Sequence, residues 1–226
     1  MRAALHQFSE WENNDDQFLV LKNLAQDLKL PLTHIITQAH NNEAVITHAK
    51  SAVDLIDTYI LCVRLNNGQQ QLKVEPVLLK PLFEEVAQDL HQFASNRSNQ
   101  FELAVSNKTS TVLSDRAVLK STLFSLSYSA IHASQGSKNS VLLKAHKDKN
   151  KVQASVFSNS LVSKAGFLKS SKIGNHVSAM PYGMHAGIAI ARNLSELIDS
   201  PIRPISKWYE KGITLTLVPS SQLALW

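Results

Sequence analysis

The sequence predicts an α+β protein: a long helical hairpin followed by a mixed domain of helices and strands. Three observations predict it. Two narrow apolar stripes with heptad spacing fill the first third of the chain. Short β-rich runs then alternate with helical patterns. The composition is that of a globular chain, 44% hydrophobic and 18% charged over 226 residues.

The first stripe runs through Phe18, Leu21, Ala25, Leu28, Leu32, Ile35 and Ala39, in steps of three and four. Asp15 and Asp16 suit the positive N-terminal end of that helix. Pro31 lies inside it without breaking the phase, so a kink is expected there. After the polar break at Asn41 and Asn42, the second stripe follows Ile46, Ala49, Val53, Ile56, Ile60 and Val63. Asn66-Asn67-Gly68 offers a left-handed stop. Because a lone hairpin of this size buries little apolar surface, two hairpins are expected to pair as a dimeric four-helix bundle. The dimer residues expected are Phe18, Leu21, Leu28, Leu32, Ile35, Val53, Ile56 and Ile60. The alternative is that the stripes pack on the rest of the same chain.

Beyond the hairpin, Pro76 to Ala94 has helical spacing at Leu79, Leu82, Val86 and Leu90. Phe101 to Val105 and Thr111 to Leu113 read as short strands. Asp115 opens a helix through Leu119, Leu123, Leu126 and Ile131. Val141 to Ala145 and Val152 to Phe157 form a hairpin, and Ser158 to Pro181 reads as a long loop. Ala186 to Ile198 is helical, and Ile213 to Val218 is a last strand ended by Pro219.

The net charge is +5, with 23 Lys and Arg against 18 Asp and Glu. That excess permits an anionic partner without requiring one. A single cysteine, Cys62, excludes an intrachain disulfide framework and a Cys-rich zinc site, and no metal is expected. No apolar run approaches the ~20 residues of a membrane span, and residues 1–14 lack a signal-peptide core. The chain therefore reads as cytoplasmic, with no membrane partner. From Lys149 to Ser195 there is no Asp or Glu, although the stretch holds Lys149, Lys151, Lys164, Lys169, Lys172 and Arg192 with His176 and His185. It is either a solvated loop or a surface facing an acidic partner or nucleic acid.

Several stretches in this order resemble a sensor histidine kinase core, meaning a dimerisation and phosphotransfer hairpin followed by a GHKL-type ATP-binding domain. LAQDLKLPLTHI (24–35) is similar to the phosphoacceptor segment SHELRTPLxxI. VRLNNGQQQLKVEPV (63–77) resembles the exit from the hairpin. VLSDRAVLKSTLFSLSYSAIHAS (112–134) resembles the strand and helix carrying the asparagine box. YGMHAGIAIARNLSELI (182–198) and KGITLTLVP (211–219) resemble the second glycine box and the closing strand. The resemblance implies an N-terminal segment at 1–14, a hairpin at 15–72 and a degenerate GHKL-type α/β sandwich at 73–226. With only 14 residues before the hairpin, input to such a core is expected from a partner or a ligand.

The resemblance also identifies what has been lost. The phosphoacceptor histidine aligns with Gln26, whose amide has no nucleophilic nitrogen lone pair, while the neighbouring acid is kept as Asp27. His34 lies eight residues on, about 80° around the helix, and is not at the aligned position. Both asparagines of the asparagine box are serines, Ser125 and Ser129, and the second is the family's magnesium ligand. The phosphate-facing lysine aligns with His132. In the first glycine box, Ser158 stands where an aspartate reads adenine, and Val162 where a glycine approaches the base. The second glycine box keeps Gly183 and Gly187, with His185 between them. Gly187 is read either as opening a phosphate-binding helix N-terminus or as a close-packing position.

The expectation is a histidine-kinase-like pseudoenzyme with no catalytic residues and no cofactor. It would be a homodimer docking a response-regulator receiver domain through Gln26, Lys29 and Leu30. The alternative is a divergent kinase or phosphotransferase that uses ATP and magnesium with a displaced histidine such as His34. A third reading is a basic nucleic-acid-binding adaptor.

Overall fold

The computed structural model describes residues 24–39, 42–105, 111–134, 140–148, 150–158, 161, 184–207 and 210–220. The chain divides into two compact units, Met1–Gln70 and Gln71–Trp226.

The described part of the first unit is a helical hairpin. Helix α1 spans residues 24–38 and runs through Pro31. Helix α2 is Glu43–Asn66. Its N-cap is Asn42, whose side-chain oxygen accepts from the Val45 N–H at 3.2 Å. Its stop is Gly68, at φ +66°, in the left-handed conformation that only glycine adopts without strain. The Gly68 N–H then donates to Leu65 O and the Gln69 N–H to Arg64 O, satisfying carbonyls that the helix leaves free. Lys29 on α1 meets Asp57 on α2 at 2.5 Å.

The expected dimer stripe divides in this hairpin. Ile60, with Ala25, Ala49 and Val63, is buried within the single chain. Leu32, Val53 and Ile56 are half-buried. Leu28 and Ile35 stay 48% and 42% exposed, alongside Leu24 and Val45. Phe18 and Leu21 lie outside the described residues, as does the N-terminal segment 1–14. Some apolar side chains of the hairpin are thus buried within the chain, while others on both helices stay exposed.

The second unit opens with β1, Val74–Leu78. The helical spacing from Pro76 starts too early, because Pro76 and Leu78 pair as a strand with Leu113 and Thr111. Pro76 lacks an N–H, and β1 ends the sheet path, where a missing donor costs little. Helix α3 follows at Leu79–Ser95 and buries Leu79, Leu82, Phe83, Val86, Leu90 and Phe93, the spacing of one helical face. Next come β2 (Gln100–Val105), β3 (Thr111–Asp115), helix α4 (Arg116–Ala133), β4 (Ser140–Asp148) and β5 (Lys151–Phe157). Helix α5 is Met184–Leu197, followed by β6 (Arg203–Lys207) and β7 (Glu210–Pro219).

Among the described residues, seven strands form one sheet in the order β1-β3-β7-β5-β4-β2, with β6 on β7. Only the β2–β4 pair is parallel, and the rest are antiparallel. Strand β6 had no counterpart in the sequence reading: Arg203-Pro204 begins it, and Pro marks an edge position. The core joins α3, α4 and α5 to the inward residues of the sheet, including Val112, Leu143, Val156, Ile213 and Leu215. Alternate residues on the same strands, Val74, Leu78, Leu113 and Val218, are exposed. A side chain such as Leu119 or Phe83, 0% exposed, contributes about 1.5–3 kcal/mol of transfer free energy.

Candidate functional site

Four of the positions that the resemblance assigns to a nucleotide pocket, Ser125, Ser129, Ser158 and Gly187, lie among the described residues, at the packing of α4 against α5 and at the end of β5. Helix α4 is set by Asp115. One carboxylate oxygen caps the helix by accepting from the Val118 N–H at 3.0 Å. The other accepts from the Lys73 N–H at 2.7 Å and ties the start of β1 to the same point.

From that start, three hydroxyls along α4 and its C-cap turn back on their own helix. Thr122 donates to Val118 O, Ser129 to Ser125 O at 2.7 Å, and Ser134 to Ala130 O at 2.8 Å. Ser125, Ser129 and Ser134 are at most 1% exposed. The donors of Ser129 and Ser134 are committed to carbonyls four residues earlier, while Ser125 Oγ is buried without a hydrogen-bond partner among the described residues.

Gly187, in the first turn of α5, faces this row. A Cβ added at Gly187 would lie 2.2 Å from Ser129 Oγ and 2.8 Å from Ser125 O. Of its two sequence readings, close packing has the geometric support. The backbone of α5 rests on the serine side of α4, with no space for one methyl group.

Ser158 follows β5 and is 3% exposed. Its N–H donates to Lys211 O at 2.9 Å. Its hydroxyl is 3.3 Å from Ser134 Oγ. Since the Ser134 proton goes to Ala130 O, the Ser158 hydroxyl is the donor of this pair. The Ser134 partnership was not anticipated. Its signal was a small hydroxyl residue at the end of the asparagine-box helix, matched to a serine in place of the adenine-reading acid.

His132 lies on a different set of contacts. Its ring is 6.1 Å from Tyr128, which stacks on Phe93 of α3 at 4.9 Å. Burial pushes the Tyr128 phenol above its ordinary value, and the nearby positive charge of Arg97 opposes part of that shift.

Val162 and Gly183 lie outside the described residues, as do Lys164, Lys169, Lys172 and His176 of the acid-free stretch. Of the described basic residues there, Arg192 is held by Glu196 at 3.1 Å. A cleft between the end of α3 and the start of β2, lined by His91, Ser95, Asn99 and Phe101, holds none of the nucleotide positions. No cluster of three metal-ligating side chains exists among the described residues.

On the hairpin, Gln26, Asp27 and His34 are solvent-exposed on α1. Leu30 is 65% exposed. Lys29, the third expected docking residue, is engaged by Asp57. No described helix is long and apolar enough to cross a membrane.

A two-helix hairpin followed by three helices packed on a mixed sheet is the architecture of solved histidine kinase structures, a helical hairpin plus a GHKL-type domain. An Acinetobacter baumannii histidine kinase, AdeS, matches over 87% of this chain and 96% of its own, at 13% identity and TM-score 0.54. A histidine kinase from Burkholderia phymatum STM815 matches over 91% and 98%, at 17% identity and TM-score 0.52. Full-length ShkA in complex with AMPPNP matches over 92% of this chain but 47% of its own, at 18% identity and TM-score 0.59. No family model and no curated protein matches the chain.

Proposed function

We propose that the chain is a dimeric, histidine-kinase-like signalling module without autokinase activity, whose hairpin docks a response-regulator receiver domain. One observation carries this reading. Where the hairpin of this fold would offer an imidazole nucleophile, the chain offers the exposed amide of Gln26 beside the retained acid Asp27. A general base with no nucleophile beside it has nothing to activate. The exposed apolar side chains of Leu24, Leu28, Ile35 and Val45 support pairing with a second hairpin. Leu30, beside Gln26, supports apolar contact with a receiver domain.

The test is incubation of the full chain with γ-labelled ATP and magnesium, followed by acid and base treatment. No acid-labile phosphate is expected on the chain. Label that disappears in His34→Ala would replace this reading with the divergent kinase. Light scattering at high micromolar concentration is expected to give twice the chain mass. Isolated receiver domains are expected to bind, more weakly to Leu30→Ala.

A further inference from the structure

We infer that this domain has replaced the metal and phosphate end of the family's nucleotide site with a closed helix seam built from Ser125, Ser129 and Gly187. The inference rests on the proposed function and deepens it, because it states what occupies the place a nucleotide would need.

The magnesium ligand of the family aligns with Ser129. An asparagine reaches beyond its Cβ with a planar amide, which sets it apart from a helix neighbour. Serine ends at one hydroxyl, and that hydroxyl turns back to Ser125 O. The shortened side chain lets α5 come in until Gly187 rests on Ser129 Oγ. One substitution meets one retained residue: a serine with its donor folded inward, and a kept glycine with no side chain to hold the helices apart. Ser125 completes the seam. It is 0% exposed, and its carbonyl is the second atom that a Cβ at Gly187 would strike.

The residues do not fit a magnesium nucleotide. A magnesium ion takes six oxygens at about 2.0–2.1 Å and keeps several of its waters. The gap between Ser129 and Gly187 does not admit a methyl carbon. Opening it requires α5 to move off α4, which would expose Ile188 and Ala191, 2% and 0% exposed, along the same helix. The seam is held by packing of apolar and small side chains and needs no ligand to stay shut.

The test is thermal unfolding of the full chain, with and without magnesium ATP, for wild type, Gly187→Ala, Ser129→Asn, Ser129→Ala and the double variant Ser129→Ala/Gly187→Ala. Gly187→Ala and Ser129→Asn are each expected to lower Tm by about 5 °C or more, and Ser129→Ala by less. Losing Ser129 Oγ removes the nearest clash, so Gly187→Ala should cost fewer degrees in the Ser129→Ala background. That comparison decides the case even when Gly187→Ala alone does not fold, since the double variant should then recover a transition. Magnesium ATP should leave wild type and Ser129→Asn unmoved. Ser129→Asn and Gly187→Ala melting like wild type, with no nucleotide effect, would overturn the seam and leave the proposed function standing. A magnesium-dependent rise in wild-type Tm would overturn the seam alone, because the proposed lack of autokinase activity rests on Gln26 and fails only if acid-labile phosphate appears on the chain.

Discussion

The Ser158 hydroxyl lies 3.3 Å from Ser134 Oγ, joining the end of β5 to the end of α4 through two small side chains. An acid at position 158 would sit where the structure supplies one hydroxyl, and that hydroxyl's proton already goes to Ala130 O.

Ser158→Asp is therefore expected to destabilise the domain rather than restore a nucleotide reader. At 3% exposure the carboxylate would be desolvated, with no described cation paired to Ser158. A buried polar group without compensation costs about 2 kcal/mol or more. Urea unfolding should show a lower midpoint at unchanged slope. A midpoint equal to wild type would mean that the end of β5 opens to water.

Gly212→Ala should be among the costlier small substitutions in the sheet. Gly212 pairs with Phe157, and an added Cβ would lie 2.3 Å from Val156 O and 2.9 Å from Phe157 Cα. Relieving this contact means separating β5 from β7 at the centre of the sheet. Overpacking of this kind costs about 1–3 kcal/mol, and each kcal/mol lowers Tm by about 2–4 °C in a chain this long. Differential scanning calorimetry would read it.

Asp115→Ala removes two hydrogen bonds at once, from the Val118 N–H and the Lys73 N–H. The loss of a helix cap costs about 1 kcal/mol. The second bond should bring the total to about 2 kcal/mol. Native-state hydrogen exchange should show faster exchange at both amides. Acceleration at Val118 alone would mean that the tie to Lys73 contributes nothing.

Cys62 should resist alkylation in the native protein at neutral pH and react on unfolding. It is 4% exposed, and burial raises its pKa above the ordinary 9.0, while a hydrogen bond from Asn66 opposes the shift. The raised value means that the folded state holds its proton when the unfolded state has released it. This contribution is intact below pH 9.0 and declines as pH rises through the folded value. Tyr128, raised by burial from 10.0, acts in the same direction at higher pH. Denaturation midpoints should fall on going from neutral pH to about pH 10 and fall less in Cys62→Ala.

The sequence by itself determined the elements whose signals are local. The stop at Asn66-Asn67-Gly68 and the cap at Asp115 depend on conformational freedom and hydrogen bonding within a few residues, and both stand in the structure. So do the paired runs Val141 to Ala145 and Val152 to Phe157. The spacing of Leu79, Leu82, Val86 and Leu90 was legible because burial on one helix face writes its period into the chain. Strands β1 and β6 were not legible, since each contains a proline and exists through pairing with a residue far along the chain. Half of the hairpin's fate was also hidden: heptad spacing marks Leu28 and Ile60 alike, but only tertiary packing buries Ile60 and leaves Leu28 open. The replacements at Ser125, Ser129 and Ser158 were visible in the sequence as missing chemistry. That Ser129 meets Gly187, and Ser158 meets Ser134, was decided only when helices distant in sequence were brought together, because a contact is a property of distance in space.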